Sequence, residues 1–111
     1  EVGNIRLVDV DPNPEDPDVS IAWPGKSTGV WYHIAATRSG STFKIFIDGV
    51  SASLSFSGTL PSSISGNATA FTIAFNNAGS DNFYKGQLDD VRIYNRVLSA
   101  DEIKRLYNLG R

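Results

Sequence analysis

One dipeptide organises the middle of this chain. Asp48-Gly49 sits between Thr42–Ile47 and Val50–Leu54, two short runs that read as strands. Alternation at period two places Phe43, Ile45 and Ile47 on one strand face, with Lys44 and Phe46 opposite. Asp-Gly is what a type I′ turn demands, because both of its central residues need positive φ. A two-residue turn sets the register of its hairpin, and register decides which side chains face inward. Another run, Trp31–Arg38, precedes this hairpin across the turn residues Ser39-Gly40-Ser41. Trp31, His33 and Ala35 share one face, and Tyr32, Ile34 and Ala36 share the other. Both faces are mostly apolar, as in a strand held inside a sandwich. Trp31, Phe43, Phe46, Phe71 and Phe75 are therefore expected in the core.

The flanks read in the same way. Gly3–Val10 and Val19–Trp23 are short strand candidates. Between them, Pro12, Pro14 and Pro17 forbid helix and central strand, so 9–18 is a loop. Its acidic spacing fails as an EF-hand, since Pro14 stands where the turn glycine is needed and Ser20 where the bidentate glutamate is needed. Ser55–Asn67 is rich in Ser and Gly and reads as loop with room for a brief strand. Phe71–Phe75 is a strand, Asn76–Asn82 a loop, and Phe83–Tyr94 the last long strand, with room for a break near Gly86 and with Val91 and Ile93 on one face. Ser99 is then a good helix N-cap, and Glu102 three residues on completes a capping box. Leu98 and Ile103 stand at the two positions of a hydrophobic staple. The helix Ser99–Asn108 carries Ile103, Leu106 and Tyr107 on one side, with Gly110 as its C-cap. At this length it does not persist alone in water and must dock on the sheets.

Composition narrows the function classes. The 111 residues make one domain or part of one, and 41% hydrophobic with 20% charged is ordinary for a globular chain. A net charge of −2 with ten scattered basic residues gives no footprint for nucleic acid. The absence of cysteine excludes a disulfide scaffold, a thiolate zinc site and a cysteine nucleophile. No apolar run approaches the ~20 residues of a membrane helix, so membrane insertion is not expected. With no methionine, the chain is expected to be a processed or excised piece of a longer product.

Two blocks carry a family resemblance. One is Gly86, Leu88, Asp89, then Val91-Arg92-Ile93-Tyr94-Asn95, then Leu98-Ser99 and Glu102-Ile103. The other is Trp31, His33-Ile34-Ala35, followed by Phe43-Lys44-Ile45-Phe46-Ile47-Asp48-Gly49-Val50. In that order they resemble the laminin-G-like, concanavalin A-like lectin/glucanase jelly rolls, over residues 31–107. The resemblance implies an all-β fold, an antiparallel β-sandwich closed by one short C-terminal helix, in a single domain over 1–111. Complete domains of this type carry several strands before the W-x-H strand, so the first strands look absent here. Exposed sheet edges would follow, covered by another chain, by self-association or by a longer parent.

The resemblance also implies a function class: a non-catalytic carbohydrate-binding or adhesion module of a larger secreted or cell-surface protein, with a glycan as partner. The alternatives are part of a polysaccharide-degrading enzyme whose catalytic residues lie outside this chain, and a structural or assembly module without small ligand. Retaining glycoside hydrolysis needs two carboxyls ~5–5.5 Å apart. Glu1, Glu15 and Glu102 are the only glutamates, and none has a carboxylate partner two positions away on an expected strand. Adjacent Asp89 and Asp90 would point to opposite strand faces. No G-x-S-x-G nucleophile elbow exists, so no catalytic residue is assigned. Sugar sites combine exposed aromatic faces with amides and carboxylates that read hydroxyls. That chemistry points to Asn76, Asn77, Asp81, Asn82 and Tyr84, with Tyr32 as a further aromatic candidate. The resemblance implies a place for Asp89 near the structural calcium that some members bind. Read from the residues alone, Asp89 accepts backbone hydrogen bonds where the strand turns its corner. His33, the sole histidine, is expected to donate to Asp89 or Asp48 in a buried polar link.

Overall fold

The computed structural model describes residues 4–8, 18–22, 26–53, 55–57, 73 and 84–110. Six strands and one helix lie among them: β1 (Asn4–Val8), β2 (Asp18–Ala22), β3 (Ile34–Ser39), β4 (Thr42–Ile47), β5 (Val50–Ala52), β6 (Ser55–Ser57) and α1 (Ala100–Leu109). They form two antiparallel sheets, ordered β1-β2-β6 and β3-β4-β5. The chain leaves the first sheet after β2, builds the second as a meander, and returns with β6 to pair with β2, Val19 opposite Phe56. This is an all-β antiparallel sandwich with one short helix.

Both hairpins of the second sheet are two-residue turns. Ser39 pairs with Thr42, leaving Gly40-Ser41 as the loop. Positive φ falls at the first loop position only, Gly40 at 57°, as a type II′ turn requires. Ile47 pairs with Val50. There both loop residues have positive φ, Asp48 at 50° and Gly49 at 76°, the type I′ signature that the sequence anticipates. The register places Ala35, Thr37, Ser39, Thr42, Lys44 and Phe46 on one face. Ile34, Ala36, Arg38, Phe43, Ile45 and Ile47 share the other. Near the Gly40 turn, the Arg38 guanidinium lies 5.0 Å from the centre of the Phe43 ring, and its Nε–H donates to the Gly40 carbonyl at 2.8 Å.

α1 begins where the sequence places its cap. The Ser99 hydroxyl accepts the Glu102 N–H at 3.2 Å, and the Glu102 carboxylate accepts the Ser99 N–H at 2.8 Å. Ile103, one turn in, is fully buried, as is Ile45, and Phe46 is nearly so. At the other end the Gly110 N–H donates to the Leu106 carbonyl at 3.2 Å. The helix crosses directly over the β4–β5 turn. A Cβ built on Gly49 would stand 3.3 Å from the Lys104 Cα, so glycine there answers two demands at once.

Four expectations need correction. Tyr84–Tyr94 joins no ladder. Alternation supplies the side-chain period of a strand, but Asp90 adopts φ 54° and its N–H donates to Asp89 Oδ1 at 2.8 Å. That left-handed step interrupts the extended backbone, and Val91 and Ile93 are exposed. Trp31 is not core: it precedes β3 and is 62% exposed. Of Phe71–Phe75, Ile73 lies at an exposed bend and not in a strand, and the rest falls outside the described residues. Of the expected 9–18 loop, Asp18 instead begins β2, and 9–17 falls outside the described residues. Among the described residues no helix is long and apolar enough to cross a membrane.

Gly49→Ala and Gly40→Ala separate the two demands on the β4–β5 turn. Each places a Cβ in the left-handed region, which costs about 1–2 kcal/mol. Only Gly49→Ala also meets the helix backbone, since nothing lies within 4 Å of a Cβ at Gly40. Urea unfolding is expected to show the larger loss for Gly49→Ala. Equal losses would mean that the helix does not press on the turn. Ser99→Ala is expected to cost about 0.5–2 kcal/mol in the same measurement.

Candidate functional site

The sites expected from sequence divide by position. Asn76, Asn77, Asp81 and Asn82 lie outside the described residues. Tyr84 is described and 58% exposed, so its ring is available as a stacking face. Tyr32 is half-buried, and its hydroxyl accepts the Ser27 N–H at 2.9 Å, bracing the loop that leads into β3. The exposed aromatic that sequence reasoning missed is Trp31. Its alternation with His33 and Ala35 reads as interior, yet Trp31 and His33 precede the first ladder pair at Ile34.

Asp89 is engaged locally. Its Oδ1 accepts the Asp90 N–H, while Asp90 pairs with the Arg92 guanidinium at 3.3 Å. Asp89 and Asp90 do not sit on a strand, so the opposite-face argument is replaced by this local geometry. Calcium takes roughly six to eight oxygens. Among the described residues, no three acidic or histidine side chains gather as such a site requires.

His33 is linked to Asp48, but through its backbone. The His33 N–H donates to Asp48 Oδ1 at 2.8 Å, and the Asp48 N–H donates back to the His33 carbonyl at 2.8 Å. The ring does not join this pair. It tilts at 47° towards the Tyr107 ring, centroids 6.1 Å apart, and its Nδ1 is buried with no hydrogen-bond partner among the described residues. The expected side-chain link is corrected accordingly: the turn carboxylate is satisfied by a main-chain donor.

Among the described residues, Glu102 is the carboxyl with a clearly perturbed pKa. Arg96 grips it with both guanidinium nitrogens, at 3.0 and 2.8 Å. That fork, and then the Ser99 N–H, hold its pKa down at about 2. A carboxyl so held stays ionised near neutrality and has no proton to offer as a general acid.

A groove of about 360 Å³ lies between the β3–β4 face and the segment entering α1. Thr37, Ser39, Thr42 and Lys44 line its sheet side, and Val97 and Leu98 its other wall. Sequence reasoning passed over these residues, because polar residues alternating along a strand read as a solvated face. The signal was their cross-strand register, Thr37 opposite Lys44 and Ser39 opposite Thr42.

Two antiparallel sheets, one of them a meander of two-residue hairpins, and a capped C-terminal helix have the make-up of a concanavalin A-like β-sandwich. Residues 4–104 match the model of the concanavalin A-like lectin/glucanases superfamily, and the chain belongs to that family. The match takes in β1 and β2 as well as residues 31–104 of the 31–107 stretch where the resemblance is legible by eye. A solved structure, residues 221–444 of an S-layer domain-containing protein from Clostridium thermocellum ATCC 27405, aligns with TM-score 0.60 and 23% identity. The alignment covers 96% of this chain and 64% of that one, and at this identity it bears on fold alone. No curated protein matches the chain.

Removing the fork on Glu102 gives a direct test. Its folded pKa is depressed, so the stability it contributes is complete above about 4.5 and drains away as pH falls towards 2. Helix content followed by circular dichroism is expected to decline through that window. In Arg96→Gln, a carboxyl-carbon NMR titration is expected to place the Glu102 midpoint higher. An unmoved midpoint would assign the shift to the Ser99 N–H alone.

Proposed function

We propose that this chain is a non-catalytic carbohydrate-binding or adhesion module of a larger secreted or cell-surface protein. Membership of a lectin/glucanase superfamily carries the reading. What supports the lectin side over the glucanase side is the state of four of the described carboxylates. Asp48 and Asp89 accept backbone donors, Asp90 pairs with Arg92, and Glu102 is clamped by Arg96. A hydrolytic pair needs one carboxyl that holds a proton beside another that does not.

The binding residues in this reading are Asn76, Asn77, Asp81 and Asn82 with the exposed ring of Tyr84. Amides and a carboxylate suit sugar hydroxyls, and an aromatic face suits sugar C–H groups. A second role, assembly with other chains, is favoured by the exposed apolar side chains of Leu88, Val91, Ile93 and Val97.

A glycan array probed with the 111-residue chain tests the main reading, with a reducing-end assay on any glycan retained. Retention without new reducing ends is the expected result. Tyr84→Ala is expected to weaken binding about tenfold, a loss of about 1.4 kcal/mol. Binding is expected to survive EDTA, since Asp89 is engaged with its own turn. Release of reducing ends would favour the enzyme. A uniformly blank array, with a self-associated mass in solution, would favour assembly.

A further inference from the structure

We propose that the groove between β3–β4 and the Val97–Leu98 segment is a binding subsite for an acidic saccharide. The inference rests on the carbohydrate-binding reading above and adds a place and a ligand class to it, apart from the Asn76–Asn82 loop.

The register makes the row. Thr37 stands opposite Lys44, and Ser39 opposite Thr42, on one face of one antiparallel pair. Cross-strand pairs on a sheet are held by backbone ladders, so the spacing of the Cβ atoms that carry these groups is set before any ligand arrives. Phe46, 4% exposed, contributes to the same lining, and Val97 and Leu98 face the row. About 360 Å³ falls within the roughly 300–1,000 Å³ of small-molecule sites, which combine apolar walls with a few placed polar groups.

The polar groups are free to act. Among the described residues, Thr37, Ser39, Thr42 and Lys44 make no side-chain hydrogen bond or ion pair. Ser99, which also borders the groove, is spent in the capping box with Glu102. The helix N-terminus is therefore not what selects the ligand. Among the described residues Lys44 is the charged side chain of the lining, and no described carboxylate lines it.

The chemistry follows from that inventory. A hydroxyl both donates and accepts, as a row of sugar hydroxyls requires. An ammonium donates to a carboxylate or sulfate more strongly than to a neutral oxygen. The apolar wall suits the C–H face of a pyranose ring. A neutral sugar would use the hydroxyl row and leave Lys44 unanswered, whereas a uronate or sulfated sugar satisfies both.

Trigalacturonate and its neutral methyl ester serve as matched probes, titrated into the 111-residue chain at low salt and followed by amide NMR and calorimetry. The acidic probe is expected to bind about tenfold more tightly, with shifts centred on Thr37–Lys44. Lys44→Gln is expected to abolish the difference between the probes. Ser39→Ala is expected to weaken both probes and keep the difference. Each variant is checked by circular dichroism, and both positions are exposed. Equal binding of the two probes, or discrimination that survives Lys44→Gln, overturns the proposal. Shifts confined to residues 76–84 overturn it while leaving the carbohydrate-binding reading standing. Binding of neither probe overturns the groove; a blank glycan array in addition overturns both readings.

Discussion

The described part of this fold turns on the short hairpin at Asp48-Gly49. Its left-handed backbone returns β5 against β4, and so fixes the register of the sheet's third strand. The Asp48 carboxylate and N–H bind the two main-chain groups of His33, just before β3 begins. Gly49 then leaves room for α1, whose Lys104 Cα approaches to a distance that a Cβ would contest. Three segments far apart in sequence are thus tied at one corner. A buried main-chain group without a partner costs about as much as a lost hydrogen bond. The two bonds to His33 therefore do more than orient a loop, because they remove that cost at the entry to the sheet.

Local chemistry was legible in the sequence, and partnership was not. Asp-Gly specifies its turn and Ser99 with Glu102 specifies the helix start, because each interaction closes within a few residues. The strands β1, β3, β4 and β5 follow from alternation and bounding turns. The pairing of β6 with β2 does not, since it depends on which edge is free when the chain returns across a whole sheet. Tyr84–Tyr94 fails for the complementary reason. Val91 and Ile93 alternate as strand residues do, but alternation is silent about a neighbour to bond with, and the Asp89–Asp90 pair makes its own turn instead. Trp31 shows the limit of face counting. The period was right, but the ladder starts three residues later than the apolar run.

The candidate sites divide along the same line. The loop Asn76–Asn82 was singled out by residue type, which is how loop-borne recognition is found in sequence. The row on β3 and β4 has ordinary residue types, and its content lies in register. Thr37 and Lys44 are seven positions apart in the chain yet directly opposed in the sheet. Only a correct hairpin brings them together, so the Gly40 turn is as much a part of that groove as the side chains are.

The second wall of the groove depends on the helix cap. Val97 and Leu98 immediately precede Ser99, and their direction is set by how the chain enters α1. The capping box fixes that entry from inside the helix, and Arg96 fixes it from outside by gripping the same carboxylate. Arg96, Ser99 and Glu102 thus hold the intervening apolar pair between two anchored points. Ile103, buried one turn in, seats the helix that carries the cap. A change that loosens Glu102, whether by protonation or by loss of Arg96, acts first on this entry segment and through it on the groove wall, with the ladder of β3 and β4 left intact. Register sets the sheet side of the site and electrostatics sets the helix side, so the two walls respond to different perturbations.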